Sequence, residues 1–362
     1  MFPKKVALIA CAFLIGCVSY SSSLNEDVDQ QALNATQVIL SIGPVVEGSS
    51  CHKSTYIGVG QHGKEVFRTV VEGKMYPGAA ILGDDVFIST KDEVLSLATP
   101  RSLSAPSRDM ERMSVSDSGE TAVFIYNIPA GDKFAYGYSL VGREMLSGRI
   151  NGGVQNVVPF DEGFILFTRQ VAKGGNEWSL LYLDSSGKKK YLELPKELHV
   201  NSRSLGEYYL RNGPDGSLIF AKRSPKKPGA SIQAEVYELD LAEGSWSFNR
   251  LLPDWSPNLS DILASVPLKD GRLADVTERG EVVLHDATAP GEVEGGVIPD
   301  WKFRDEFGGV HSSDDDHFFI RQSGNVKIYS WDNLNIPVYD IDLPDHDNLF
   351  GGDCDISWVS TR

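Results

Sequence analysis

Basic side chains are in deficit in this chain: 34 Lys and Arg stand against 50 Asp and Glu, a formal net charge of −16. No basic stripe interrupts the acidity, and a phosphate backbone requires one, so nucleic acid is excluded as a partner. The acidity itself serves solubility. Histidine is thin too, seven residues in all, which leaves little for metal or acid–base work. No H-E-x-x-H, G-x-S-x-G, P-loop or G-x-G-x-x-G occurs in a supporting context. No apolar run reaches the roughly 20 residues of a membrane-spanning helix. Cysteine is scarcest, with four residues, and the stretch between Cys51 and Cys354 holds none. What remains is ordinary for a globular protein. Hydrophobic content of 41% with 23% charge excludes wholesale disorder, and 362 residues can bury one large β or α/β domain or two smaller ones. Thirty-five Gly and 18 Pro, spread along the chain, point to many tight turns.

The first two cysteines lie in a leader. "MFPKK" is a short basic segment, "VALIACAFLIG" an apolar one of signal-peptide length, and "SYSSSLNED" is polar. Leu14-Ile15-Gly16-Cys17 resembles the lipobox of bacterial lipoprotein signal peptides, in which a small residue precedes a cysteine that is lipidated and becomes the mature N-terminus. Leu8-Ile9-Ala10-Cys11 matches as well, but it leaves an apolar segment of about five residues, short of the usual 7–15 or so. The resemblance implies a signal peptide over residues 1–17, lipidation at Cys17 and attachment to a membrane, since one acyl chain binds marginally and two bind stably. Val18 stands where a retention signal has Asp, which implies the outer membrane in a cell that has one. A plain secretory signal cleaved near this site is the alternative. Residues 18–35 are expected to be a flexible tether.

Past residue 35 no amphipathic helix is expected. Short apolar or alternating runs recur instead: "DDVFIST", "ETAVFIYN", "GFILFTRQ", "GSLIFAKR", "GRLADVTERG" and "DHFFIRQSG". Each follows an Asp- or Gly-rich turn, and most lead into a second run such as "EVLSLAT", "WSLLYLD", "AEVYELDL", "EVVLHD" or "NVKIYSWD". This is strand, turn, strand. The turns fall near Asp85, Gly119, Gly163, Gly216, Gly271 and Asp316. Steps of roughly 35 to 55 residues with four short strands per unit are the signature of a β-propeller. The expected fold class is all-β, a single β-propeller over residues 36–362.

Leu194-Pro195, Leu252-Pro253, Ile298-Pro299 and Leu343-Pro344 each close a strand-like run. Proline cannot donate to a ladder and suits the end of an outermost strand. By that register "DCDISWVST" is the innermost strand of another blade, where the given sequence stops. "TQVILSIGPVV" and "STYIGVGQHGKEVFRTVV" supply its second, third and fourth strands, which closes the ring and removes exposed edges. The count is then seven blades, with six or eight left open by the irregular stretch 99–112. Cys51 falls between the second and third strands of this composite blade and Cys354 at the start of the first, on one face. A disulfide between them would bolt the chain ends together in an oxidising compartment; two unpaired buried thiols are the alternative.

"GPDGSLIFAKR" at 213–223, followed by "AEVYELDL", resembles the repeat of TolB-type (PD40/WD40-like) propellers: a Pro-Asp-Gly turn, an apolar strand, and a strand ending in Asp. "VSDSGETAVFIYN" at 115–127 is a looser version, and the remaining repeats match in pattern alone. In that family the propeller is a periplasmic protein-binding module, so the resemblance implies a binding scaffold. That family's N-terminal α/β domain has no counterpart here, and a lipid anchor is a further departure. The Ala-x-Asp-x-x-Thr-Gly-x-x-x-Trp motif of quinoprotein-type repeats is absent from the sequence.

No cofactor or metal is expected. "HSSDDDH" (His311 to His317) and the pair "DHDN" (345–348) and "DCD" (353–355) have hard-cation ligand types, but both sit where Asp clusters serve turns. The candidate ligand-binding rim is positional: Asp254-Trp255, Asp300-Trp301 and Asp345-His346 follow strand-closing prolines on one face of successive blades. Indole beside carboxylate binds sugars or peptides; equally, Asp caps turns and Trp packs between blades. The leading reading is therefore a lipid-anchored, non-enzymatic propeller of the cell envelope that binds an envelope protein or a glycan. The alternative is a carbohydrate-active hydrolase or lyase, with Asp261 and Asp353 as inner-strand carboxylates.

Overall fold

A computed structural model describes residues 28–362 apart from 106–108, 131–132, 173–174, 193, 195–207, 213–216, 224–231, 241–242, 244, 252–261, 269–271, 278, 286–292, 300, 302–306, 310–315, 323, 344–348 and 351–352. These residues form an all-β propeller fold of four-stranded antiparallel sheets, seven among the described residues. In strand order the first sheet is Cys354–Thr361, Val38–Pro44, Lys53–Val59 and Glu65–Glu72. The second is Ala79–Leu82, Asp85–Ser89, Glu93–Ser96 and Ser102–Ser104, and the third Met110–Val115, Ala122–Ala130, Lys133–Val141 and Leu146–Asn151. Gly153–Phe160, Gly163–Ala172, Gly175–Asp184 and Lys189–Leu192 make the fourth; Tyr208–Asn212, Ser217–Arg223, Ile232–Asp240 and Ser245–Leu251 the fifth. The sixth is Ile262–Pro267, Leu273–Thr277, Glu281–His285 and Val293–Val297. The seventh is Phe307–Gly309, His317–Gln322, Asn325–Ser330 and Tyr339–Asp342.

Burial falls across a sheet in the way its sequence dictates. Second strands are apolar almost throughout: Val38–Pro44 is buried at every position and Asp85–Ser89 at all but the first, because both faces meet a neighbouring sheet. Fourth strands such as Leu146–Asn151 alternate, with one face in solvent. The apolar faces interlock in order. Ile39, Tyr56 and Ile88 join the first and second sheets; Phe87, Met110 and Phe124 the second and third. Tyr138, Val154 and Phe164 join the third and fourth, and Phe167, Leu210 and Leu218 the fourth and fifth. Val276, Phe318 and Tyr329 join the sixth and seventh, and Leu40, Phe319 and Ile341 the seventh and first. Each such side chain stabilises by about 1.5–3 kcal/mol when fully buried. The strand-ending Asp of the repeat has a physical role too. Asp184 Oδ1 accepts from the Ser186 and Lys188 amides at 3.0 and 2.8 Å, and Asp240 Oδ1 from the Glu243 amide at 3.0 Å, so the carboxylate holds the turn into the fourth strand.

The ordered body starts earlier than the expected tether boundary at residue 35. Gln30–Ala35 is a helix capped by Asp29, and Leu33, fully buried, packs with Ile39, Phe67 and Val86. Six residues with one large inward apolar side chain carry no visible helical period, which is why the sequence reads there as a linker.

Up-and-down strands sort the connections into two faces. Turns between first and second strands and between third and fourth strands lie on one, the turn face. Connections between sheets, and turns between second and third strands, lie on the other, the linker face. The helix belongs to the turn face, where Gln30 Nε2 donates to the Asp84 carbonyl at 2.9 Å. Cys51 and Cys354 belong to the linker face and are joined by a disulfide, with Cα atoms 5.2 Å apart across 303 residues of sequence.

Candidate functional site

Of the expected rim, Trp301 alone lies among the described residues; Asp254, Trp255, Asp300, Asp345 and His346 lie outside them, as do Asp261, His311 and the leader with Cys17. Trp301 is half-buried and packs against the core between the sixth and seventh sheets. A Cβ on Gly280, whose φ is +75, would come within 2.3 Å of its ring, so the indole serves as packing there. Asp353 is exposed with φ +63. Asp355 is committed to Arg321 Nη1 at 2.5 Å, and that guanidinium lies over the Phe350 ring at 5.2 Å, which leaves the "DCD" stretch short of free ligands. Among the described residues no cluster of three metal-ligating side chains occurs.

The linker face carries chemistry that the sequence did not reveal. First strands adjoin one another at the inner rim, and five of the seven carry one extra residue: Ser357, Glu111, Gln155, Leu263 and Gly308. A bulge of this kind bends the strand and re-aims side chains, and it recurs next to binding sites. At neighbouring bulges Arg112 Nε donates to the Gln155 carbonyl at 3.3 Å while Nη1 donates to the Glu111 carbonyl at 2.6 Å. Burial raises the Glu111 carboxyl above its ordinary range; Arg112 opposes the shift and the Asp109 charge adds to it.

One sheet back, Lys74 sits in the connection from the first sheet to the second and is only 2% exposed. Its Nζ donates to the Ala105 carbonyl at 3.4 Å and lies 5.4 Å from the centre of the Tyr126 ring. Burial lowers the amine to about 8, against the pull of Asp92 and Asp109. Met75 and Asp109 form a parallel bridge, and the Met110 amide donates to the Met75 carbonyl at 3.1 Å. Asp92, Asp109, Glu111 and Arg112 therefore gather charge at the linker face of the second and third sheets, above the buried Lys74. Such charge presents a fixed field to a polar ligand.

The turn face offers an open groove of about 560 Å³ between the second and third sheets, lined by Asp85, Phe87, Arg101, Glu120 and Arg143 among others. Its Asp85 carboxylate is occupied. Asp85 accepts from Ser96 Oγ, the Val86 and Ala98 amides and Arg101 Nη2, which makes it a turn anchor rather than a free acid.

No protein-family model matches the sequence, and no curated protein matches it either. Several solved structures are similar. Apo AztD from Citrobacter koseri is 11% identical over 90% of this chain and 98% of its own, with a TM-score of 0.46. The β-propeller domain of the Trilobed protease from Pyrococcus furiosus is 11% identical over 87% of this chain and 98% of its own, with a TM-score of 0.43. Pyrococcus horikoshii acylaminoacyl peptidase is 12% identical over 87% of this chain, which spans 52% of that one, with a TM-score of 0.48. The strand order of the sheets, not these likenesses, carries the fold.

Proposed function

We propose that the chain is a lipid-anchored, non-enzymatic binding propeller of the cell envelope, seven blades closed into a ring by the pairing of its terminal strands, whose linker face meets an envelope protein or a glycan. One observation carries this reading: the chain enters the propeller on the turn face, opposite the disulfide and the charged groups of the linker face. The helix leads back to residue 29 on the turn face, while the disulfide lies on the linker face. With Cys17 acylated, residues 18–29 span at most about 40 Å. The turn face then looks at the membrane, and the linker face, with its charged groups, points away from it and toward partners.

The test is positional. A photo-cross-linking residue at exposed His52, on the linker face, is expected to yield adducts in cells that are absent from one at exposed Asp84, on the turn face. Adducts from Asp84 alone overturn the orientation, and the Cys17→Ser chain should lose both the membrane fraction and the adducts. A second reading, a carbohydrate-active hydrolase or lyase, draws on Glu111, a carboxyl biased toward its neutral form beside ionisable Asp109. No turnover of a polysaccharide panel is expected. Turnover abolished by Glu111→Gln would install the second reading instead.

A further inference from the structure

Among the described residues the outer edges of the sheets are guarded, with one exception. A fourth strand exposes unpaired amides and carbonyls, and proteins blunt such edges with charge, shortness, bulges or cover. Glu65–Glu72 carries the Glu65–Arg68 ion pair at 2.6 Å and lies against the N-terminal helix. Ser102–Ser104 has only three residues. Leu146–Asn151 is crossed by Lys189, whose Nζ donates to the Arg149 carbonyl at 2.6 Å, and Lys189–Leu192 brings two lysines of its own. Ser245–Leu251 is bent by a bulge at Asn249. Tyr339–Asp342 is covered by the Gln61–Gly63 turn, so closely that a Cβ on Gly63 would meet the Asp340 carbonyl at 2.2 Å.

Val293–Val297, the outer strand of the sixth sheet, has one charge, Glu294, and among the described residues neither bulge nor cover. Its sequence, VEGGV, holds no lysine, arginine or proline, and its register against Glu281–His285 runs unbroken. Gly295, Gly296 and Val297 are all exposed. Beside it lies an open groove of about 450 Å³, walled by Leu284, Gly295 and Gly296 on one bank and by Trp331 and Leu334 of the seventh sheet on the other. Val297 at 60%, Ile336 at 65% and Val338 at 48% are three of the seven large hydrophobics exposed among the described residues. They continue the two banks of this groove in sequence. The surrounding charge is acidic. Glu281, opposite Val297 in the ladder, is exposed, Asp332 lines the groove with its side chain 74% exposed, and Arg272 is spent on Asp332.

We propose that this edge is a docking site for an extended partner segment that adds a fifth strand to the sixth sheet, with aliphatic side chains in the groove and alternating Lys or Arg toward Glu281. Main-chain pairing supplies affinity, while the groove and the acids supply selectivity. A partner of opposite charge also fits a chain whose net charge is −16 and which repels its own copies. The proposal uses none of the charged groups Asp92, Asp109, Glu111 and Arg112, so its failure leaves the anchored-binder reading standing.

The probe is a fluorescein-labelled Ac-Lys-Val-Lys-Val-Lys-Val-NH₂ peptide titrated with the intact protein, read by anisotropy and by amide hydrogen exchange. Saturable binding is expected, weakened at least tenfold by Val297→Lys and by Ile336→Ser, and lost for the Glu-for-Lys peptide. Exchange at 295–297 should slow tenfold in the complex, with the melting temperature of both variants unchanged. Absent binding, binding indifferent to both substitutions, or protection confined to other strands overturns the proposal. A concentration-dependent dimer abolished by Val297→Lys also overturns it, by assigning the edge to a second copy of this chain.

Discussion

Reduction of the Cys51–Cys354 disulfide, or its replacement by serines, is expected to lower the stability of the protein by about 3–5 kcal/mol, on the loop-entropy account of a cross-link closing a loop of 303 residues. The expectation is local as well as global. Val38–Pro44 pairs with Cys354–Thr361 from Val38↔Thr361 to Pro44↔Cys354, and this ladder alone joins the two chain ends within one sheet. Other supports are the Arg362 amide, which donates to the Gln37 carbonyl at 2.9 Å, Arg362 Nε and Nη2, which donate to the Thr36 and Leu33 carbonyls at 2.8 and 3.1 Å, and Ser357 Oγ, which donates to the Pro77 carbonyl at 2.5 Å. Without the cross-link the ends gain chain entropy when they separate, so hydrogen exchange in 38–44 and 354–361 should accelerate before that of the fourth sheet. Denaturant unfolding with and without reductant checks the magnitude. An unchanged midpoint would mean that the ladder and its packing suffice without the bond.

Lys74→Met is expected to stabilise the protein by about 2 kcal/mol at neutral pH, because it removes an ammonium from a site that hydrates it poorly. The amine is 2% exposed, and its folded value of about 8 lies below its ordinary 10.5. The folded state therefore favours the neutral form. Below pH 8 the amine is charged in both states, and the burial penalty is present in full. Between pH 8 and 10.5 the folded amine has released its proton while the unfolded one still holds it, so the penalty fades as pH rises. The advantage of Lys74→Met over the parent should accordingly shrink from pH 7 to pH 9.5. Paired melting curves across that range read the difference directly, and other titrating groups cancel in the comparison. Methionine follows the stem of lysine and fills the space beside the Tyr126 ring, whereas Lys74→Ala leaves a cavity and should destabilise. A Lys74→Met variant less stable than the parent would show that the contacts with Ala105 and Tyr126, and the field of Asp92 and Asp109, outweigh burial.

Much of the fold was legible because it is written in side-chain type. The apolar second strands, the turns near Asp85, Gly119 and Gly163, and the Asp184 and Asp240 turn anchors all announce themselves through residues whose chemistry suits one place. Cys51 and Cys354 did so through scarcity. The site was less legible. Five of the six rim residues, and Cys17, lie outside the described residues, and Trp301 packs against Gly280. The inner-rim bulges escaped notice because a bulge is an event of backbone register, and Glu111, Gln155 and Gly308 share no side-chain feature. Lys74 reads in sequence as an ordinary loop lysine in "EGKMYPG"; its burial comes from Ala105 and Tyr126, 31 and 52 positions along the chain. Charge inside the short run "MERMSV" was the one signal that could have marked Glu111 and Arg112. The Gln30–Ala35 helix was hidden by its length.

The most direct test of an anchored, cross-linked propeller is the intact mass of the protein expressed with its own leader, before and after reduction and alkylation. The account predicts a chain that begins at Cys17, carries acyl mass, and gains two alkyl groups only after reduction. An unacylated chain, or one that takes up both alkyl groups without reductant, would contradict it.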